Sequence, residues 1–386
     1  MKPISTLASE LSDPFGLVYA LPKDVLRLTA GEPDFDTPEF IRNAAKSAMD
    51  EGFTHYSPAV GYEDLRKAVA EKLRRENRIS YDHAKEIVIT PGSTSGIFLA
   101  MLALLDPGDE VLVPDPAWFH YRTLIRCRGA KPVDVPVRFE GDTASLDLVE
   151  ARRRVTSRTK MLILNSPQNP TGMMLSRELI EQFGDLAVKH DLWILSDEVY
   201  EKIVYPGNVH ISPASLLGLK ERTLTSNGFS KAYAMTGWRV GYLAGLQEVM
   251  DKVAALSGYI LNCPSSVSQR AALTAMTDQR MEPAVKAMIE RFTKRREIVL
   301  EVLGNLPGIR VYPPKGAFYA WIDITGTGMS SEEFSSKLLE EQKVGVMPGP
   351  LFGKQGEGHI RISFATREDT LQEALGRFRR FVLANK

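Results

Sequence analysis

Short apolar runs alternate with longer amphipathic ones through the middle of the chain. EIVIT (86–90), EVLVP (110–114), KMLILN (160–165), LWILS (192–196), TLTS (223–226) and RVGYLA (239–244) are apolar-rich and bounded by turn formers, and they read as buried strands. Between them lie helical patterns. Residues 64–76 put Leu65, Ala68, Val69 and Leu73 on one face, and residues 176–190 do the same with Leu179, Ile180, Phe183 and Leu186. Strands alternating with helices predict a mostly parallel sheet covered on both faces.

After about residue 283 the pattern changes. A long charged helix over 284–305 is expected, with Pro283 just ahead of it to open it. GAFYAWIDI (316–324) reads as a strand, 331–341 as a helix, 359–364 as a strand, and a final helix closes the chain. This mixture predicts a second, smaller α+β domain joined to the first by the long helix.

Composition narrows the class. Lys plus Arg (48) equal Asp plus Glu (48), which argues against a nucleic-acid binder held by bulk charge and against a polybasic membrane protein. Two cysteines, Cys127 and Cys263, exclude a disulfide scaffold and a Cys-only zinc site, and no metal site is expected. The N-terminal MKPISTLASELSDPF has no apolar core, and no apolar run approaches about 18 residues. The expectation is a cytoplasmic chain that neither spans nor binds a membrane.

Polar clusters follow the strands. GST (92–94), DPAW (115–118), SPQNPTG (166–172), DEVY (197–200) and NGFSK (227–231) each sit at or just past a strand's carboxyl end, where open α/β sheets bind ligands. Gly92-Ser93-Thr94 leads into a helix and suits either an N-cap or a phosphate cradle; neither a Walker A nor a GxGxxG pattern occurs. Asn169-Pro170-Thr171-Gly172 is as readily a turn. Asp197 and Glu198 fit structural pairing or the balancing of a buried cation. Lys231, among Ser, Gly and aromatic residues, suits an ion pair or a Schiff-base amine with a burial-lowered pKa. Arg239, eight residues on, suits a salt bridge or an anionic cofactor.

Taken together and in order, TAGEPDFDTP (29–38), HYSPAVGYEDLR (55–66), SPQNPTG, SDEVY, SNGFSKAYAMTGWRVGY (226–242) and HIRISFA (359–365) resemble the class I/II pyridoxal-phosphate aminotransferases. The resemblance implies an α/β fold: a large domain with a mostly parallel seven-stranded sheet sandwiched by helices, plus a smaller α+β domain. The implied boundaries are an arm and part of the small domain at 1–45, a cofactor domain at 46–283, and a linking helix with the small domain at 284–386. It implies pyridoxal 5′-phosphate as cofactor, with Lys231 as its Schiff-base lysine and proton carrier. Asp197 would keep the ring nitrogen protonated, Asn169 and Tyr200 would donate to the ring oxygen, and Trp118 would stack on the ring.

Gly92, Ser93, Thr94, Ser230 and Arg239 would hold the phosphate, joined by Tyr56 across a homodimer interface. Where relatives carry a serine three residues before the lysine, this chain has Gly228. Arg361, Gly31, Trp118 and Asn169 would meet the substrate, Arg361 taking the α-carboxylate. The stretch ALSGYIL (255–261) ahead of Asn262-Cys263-Pro264 lacks the arginine by which one subgroup binds aspartate. The implied reaction is ping-pong transfer of an amino group from an L-amino acid to a 2-oxo acid. A carbon–sulfur lyase on the same fold is the alternative, and a cofactor-binding regulator without turnover stands further off.

Overall fold

The computed structural model describes residues 4–11 and 21–385. The strands are β1 (Leu26–Arg27), β2 (Ile87–Thr90), β3 (Glu110–Asp115), β4 (Lys131–Glu140), β5 (Thr143–Leu146), β6 (Thr159–Asn165), β7 (Trp193–Asp197), β8 (Thr223–Gly228), β9 (Gly241–Ala244), β10 (Arg310–Tyr312), β11 (Tyr319–Asp323), β12 (Val344–Gly345), β13 (Met347–Pro348) and β14 (His359–Ser363). The large sheet runs β2-β9-β8-β7-β6-β3-β4-β5. It has eight strands where seven were expected, because the short β5 folds back antiparallel on the end of β4.

From β8 to β4 the neighbours are parallel, and β9 is antiparallel to both β8 and β2. β2 therefore points the same way as β8, and the carboxyl ends of β2, β3, β6, β7 and β8 share one edge. All five polar clusters arise on that edge.

Alternation along the strands feeds both faces. Val111, Val113, Met161, Ile163 and Leu195 pack into one core with Ile97, Ala100 and Met101 of the Ser93–Leu104 helix. Leu112, Leu162, Leu164 and Ile194 turn to the other side, against Ile180, Phe183 and Leu186 of the Arg177–Lys189 helix. Ser176 starts the latter helix by accepting from the Leu179 N–H. β4 carries Pro132 and Pro136, yet pairs along β3. The Lys131 N–H donates to Asp109 (2.8 Å), so by alternation the even-numbered prolines turn their nitrogens to the edge away from β3, where no ladder bond is lost.

The smaller sheet runs β10-β11-β14-β13, all antiparallel, and packs on helices Met281–Leu303, Ser331–Gln342 and Glu368–Ala384. The long helix begins at Met281, so Pro283 lies in its first turn, where an N–H would have no partner inside the helix. β1 pairs in parallel with β12, which carries residues 28–32 from the N-terminal side to the small sheet's edge.

Behind the end of β7 lies a buried polar cluster. Glu198 accepts from Ser196 Oγ (2.8 Å) and Ser212 Oγ (2.6 Å) and faces His210 Nε2 at 3.0 Å; Asn77 Nδ2 donates to Glu201 (2.7 Å), which also pairs with Lys72. Burial pushes the Glu201 carboxyl up, but the Lys72 and His210 charges outweigh it and hold it down at about 2. Its folded pKa thus lies below the ordinary value of about 4.5, so the pair stabilises the fold above pH 4.5 and that contribution fades as pH falls through 2.

Lys72→Met should cost about 3–5 kcal/mol at pH 7, since it strands a buried carboxylate. In urea unfolding curves the gap to wild type should narrow as pH falls from 4.5 towards 2, where wild type loses the contribution of the pair. A gap that widens on acidification would contradict this assignment.

Candidate active site

A cavity of about 730 Å³ opens on the shared strand edge and is also lined by Arg361 of β14 and Tyr319 of β11. Gly31, Ser93, Thr94, Trp118, Asn169, Asp197, Tyr200, Ser230, Lys231, Arg239 and Arg361 converge on it or lie along it. Gly92 is the N-cap of the Ser93–Leu104 helix, just behind that wall. Tyr56 stands apart, 82% exposed on the surface of this chain.

Lys231 follows β8, whose end delivers its Nζ to the Gly31 carbonyl at 2.5 Å. Burial lowers its pKa to about 8; Glu32 and Asp197 oppose the shift, and Arg239 and Arg361 add to it. An amine with that value is roughly one-tenth neutral at pH 7, far more than an ordinary lysine, as a nucleophile or proton carrier requires.

Asp197 ends β7. Its Oδ2 accepts from Tyr121 Oη (2.5 Å) and its Oδ1 from the Val199 N–H (3.3 Å). Asn165 Nδ2 holds its carbonyl (2.9 Å), and Asn165 Oδ1 accepts from the Asn169 N–H (3.1 Å), which ties the ends of β6 and β7 together. Burial raises the Asp197 carboxyl to about 6 against those two hydrogen bonds. A carboxyl in that state gains from a cationic partner brought into the cavity.

At the other end, the Ser93–Leu104 helix starts from Gly92, at φ 82°, with no side-chain cap on its first N–H groups. A Cβ on Gly92 would lie 2.5 Å from Arg239 Nη2, so only glycine lets that guanidinium reach the helix start. Arg239 is braced by the Thr236 carbonyl (2.9 Å). Free N–H groups, two hydroxyls and a guanidinium together make an anion site. Gly228 packs closely on Gly241, with the Ser93 Cβ 3.7 Å from where its own Cβ would stand.

Arg361 is 3% exposed. Nη2 donates to the Thr29 carbonyl (2.6 Å) and Nη1 to Asn169 Oδ1 (3.1 Å), while Nε has no partner. The guanidinium lies over Tyr319 (4.5 Å) and Phe352 (4.9 Å), and it makes no salt bridge among the described residues. A buried cation held only by neutral groups calls for an anion. Because Asn169 Oδ1 faces Arg361, its Nδ2 turns the other way as a donor.

Trp118 stacks on His120 (4.3 Å, 19°) and meets Tyr121 edge-on. Burial drops His120 to about 4, so it is neutral at pH 7.

Sequence reasoning passed over Tyr121, Asn165, Glu32, His120 and Tyr319. Tyr121 and His120 lie within three residues of Trp118, and Glu32 adjoins Gly31, so the motifs already pointed to them. Tyr319 carried no local signal.

A family model described as aminotransferase class I and II matches residues 23–378. The chain is 43% identical to an aspartate aminotransferase of Pyrococcus abyssi and 43% identical to an aromatic-amino-acid aminotransferase of Thermococcus litoralis, in each case over 98% of this chain and 96% of the relative. A solved structure of aspartate aminotransferase from Thermus thermophilus with maleate superposes with a TM-score of 0.92 at 39% identity, over 98% of this chain and all of that one.

Proposed function

The chain belongs to the class I and II aminotransferases, and from that premise we propose that its cavity binds pyridoxal 5′-phosphate and passes amino groups from an L-amino acid to a 2-oxo acid in two half-reactions. It is a transferase of nitrogenous groups, which displaces the lyase alternative. The observation that carries the cofactor reading is the convergence of three elements on one cavity: an amine lowered to about 8, a carboxyl raised to about 6, and a helix start without a side-chain cap beside a guanidinium.

When bound, the cofactor supplies an electrophilic carbon for amino groups and a ring that accepts electrons from the substrate's α-carbon. Lys231 Nζ would anchor it and, as a free amine, would take the proton from the substrate's α-carbon. Asp197 would hold the ring-nitrogen proton, and its partner Tyr121 keeps the carboxylate aimed. Asn169 Nδ2 and Tyr200 Oη would donate to the ring oxygen. Trp118, with His120 stacked on it, would cover one ring face. The N–H groups from Ser93 onward, the Ser93, Thr94 and Ser230 hydroxyls and Arg239 would hold the phosphate. Arg361 would take the α-carboxylate, with the 29–31 backbone beside it.

The same reading makes exposed Tyr56 a donor to the phosphate of a second copy, so the working form is a homodimer with shared sites, in the cytoplasm. No helix among the described residues is long and apolar enough to cross a membrane. The reading also divides the chain at 45/46 and 283/284, which the pairing of β1 with β12 supports for the N-terminal arm.

Lys231, Arg239 and Arg361 are the only lysine and arginine side chains lining the cavity among the described residues, and His120 is neutral at pH 7. A substrate's side-chain carboxylate finds no spare cation from this chain, which favours neutral and aromatic side chains over aspartate. A spectral half-reaction screen against the 20 common amino acids tests both levels. Cofactor conversion by L-phenylalanine at least about tenfold more efficient than by L-aspartate is expected, a difference of about 1.4 kcal/mol in barrier. The reverse order overturns the side-chain preference, and no conversion by any amino acid overturns the function.

A further inference from the structure

Tyr319 belongs to none of the motifs, yet it joins the two ends of the cavity. It is fully buried on β11, and its Oη lies 2.8 Å from Tyr200 Oη. The Arg361 guanidinium covers its ring at 4.5 Å. A Cβ on Gly31 would approach Tyr319 Oη to 3.0 Å, so the hydroxyl also abuts the 29–32 segment. We propose that Tyr319 is a positioning residue that donates its hydroxyl hydrogen bond to Tyr200 and so sharpens Tyr200 as a donor to the cofactor's ring oxygen.

The inference rests on the cofactor reading above. A phenol that receives a hydrogen bond is a better donor onward. The guanidinium over the Tyr319 ring works in the same direction by drawing charge from it. Burial raises the Tyr319 phenol, while Arg361 and the Tyr200 hydrogen bond act to lower it and Glu32 adds to the rise. Tyr200 is pushed well above the usual phenol range, first by burial and then by Tyr319 as its hydrogen-bond acceptor, against Arg361 and with Asp197. Both phenols lie above the ordinary value and keep their protons at working pH, so once Tyr200 Oη turns to the ring oxygen the hydrogen between the two hydroxyls comes only from Tyr319.

The test is the pH midpoint of the cofactor's absorption band in the purified holoenzyme. Tyr319→Phe keeps the ring under Arg361 and removes only the hydroxyl. The midpoint should rise by about half to one pH unit, the size of one hydrogen bond. Tyr200→Phe should raise it further, and the double variant should add nothing to Tyr200→Phe alone. Gly31→Ala, which presses on Tyr319 Oη without changing Tyr319, should move the midpoint in the same direction and serves if Tyr319→Phe does not fold.

Affinity for an unreactive carboxylate such as maleate should stay within about twofold in Tyr319→Phe, because the aromatic face remains. A Tyr319→Phe midpoint within about 0.2 unit of wild type, or shifts that simply add in the double variant, would overturn the proposal. So would a tenfold loss of maleate affinity, which would assign the hydroxyl to Arg361 instead. A wild-type protein with no such band overturns the cofactor reading and this inference with it.

Discussion

Lys231→Ala is expected to lower amino-group transfer by at least about four decades, because it removes the anchor and the proton carrier together. No other lysine lines the cavity among the described residues, so no neighbour can substitute. Borohydride should fix cofactor to the wild-type chain and not to the variant; a reducible linkage that persists in the variant would name a different anchor.

The fold should survive. The folded pKa of Lys231, about 8, lies below the ordinary lysine value of 10.5. Burying this amine therefore costs stability below pH 8, and the cost is relieved as pH rises from 8 to 10.5. Alanine carries no such cost, and what it forfeits is the hydrogen bond to the Gly31 carbonyl. The cofactor-free variant should accordingly melt within a few degrees of cofactor-free wild type at pH 7, so inactivity can be ascribed to chemistry.

The sequence placed the main strands of the large sheet because each is a short apolar run ended by turn formers, and burial on both faces makes such runs apolar throughout. It left β4 unassigned: prolines interrupt KPVDVPVRFE, and only the pairing shows that their nitrogens face the edge away from β3. The five polar clusters were visible because an open α/β sheet collects its ligand contacts where strands end, and each cluster is contiguous in the chain.

What stayed hidden came from elsewhere. Tyr319 reaches Tyr200 from 119 residues away through a different sheet, inside a strand whose pattern reads as plain core. Glu198 could be read either as structure or as site, and the hydroxyls of Ser196 and Ser212 with His210 place it in a structural cluster while Asp197, one residue earlier, faces the cavity. Glu198 follows the last residue of β7 and its N–H still bonds the Ser226 carbonyl (2.9 Å), so the extended alternation carries one step past the strand and the two carboxylates turn opposite ways.

Arg361→Lys should lower kcat/KM for every amino acid substrate by about two to four decades, the equivalent of the roughly 3–5 kcal/mol lost when one partner of a buried, hydrogen-bonded ion pair is removed. The guanidinium sits at the centre of the small sheet, on β14 opposite Trp321 and Met347, and is held from three sides by the Thr29 carbonyl, Asn169 and two aromatic rings. Lysine has the charge but not the planar fork, and its ammonium cannot serve Thr29, Asn169 and a bidentate carboxylate at once. Asn169 would lose the acceptor contact that fixes its amide, so part of the loss should appear in kcat as well as KM.

Cofactor content should be unchanged, since the phosphate end is built from Arg239 and the Ser93–Leu104 helix start. If Arg361 were only a structural brace, the variant would melt earlier yet keep its efficiency toward each amino acid. Measuring efficiency, melting temperature and cofactor occupancy on the same preparation separates the two roles. Unchanged efficiency would remove the α-carboxylate assignment and, with it, the argument that this cavity is shaped for amino acids.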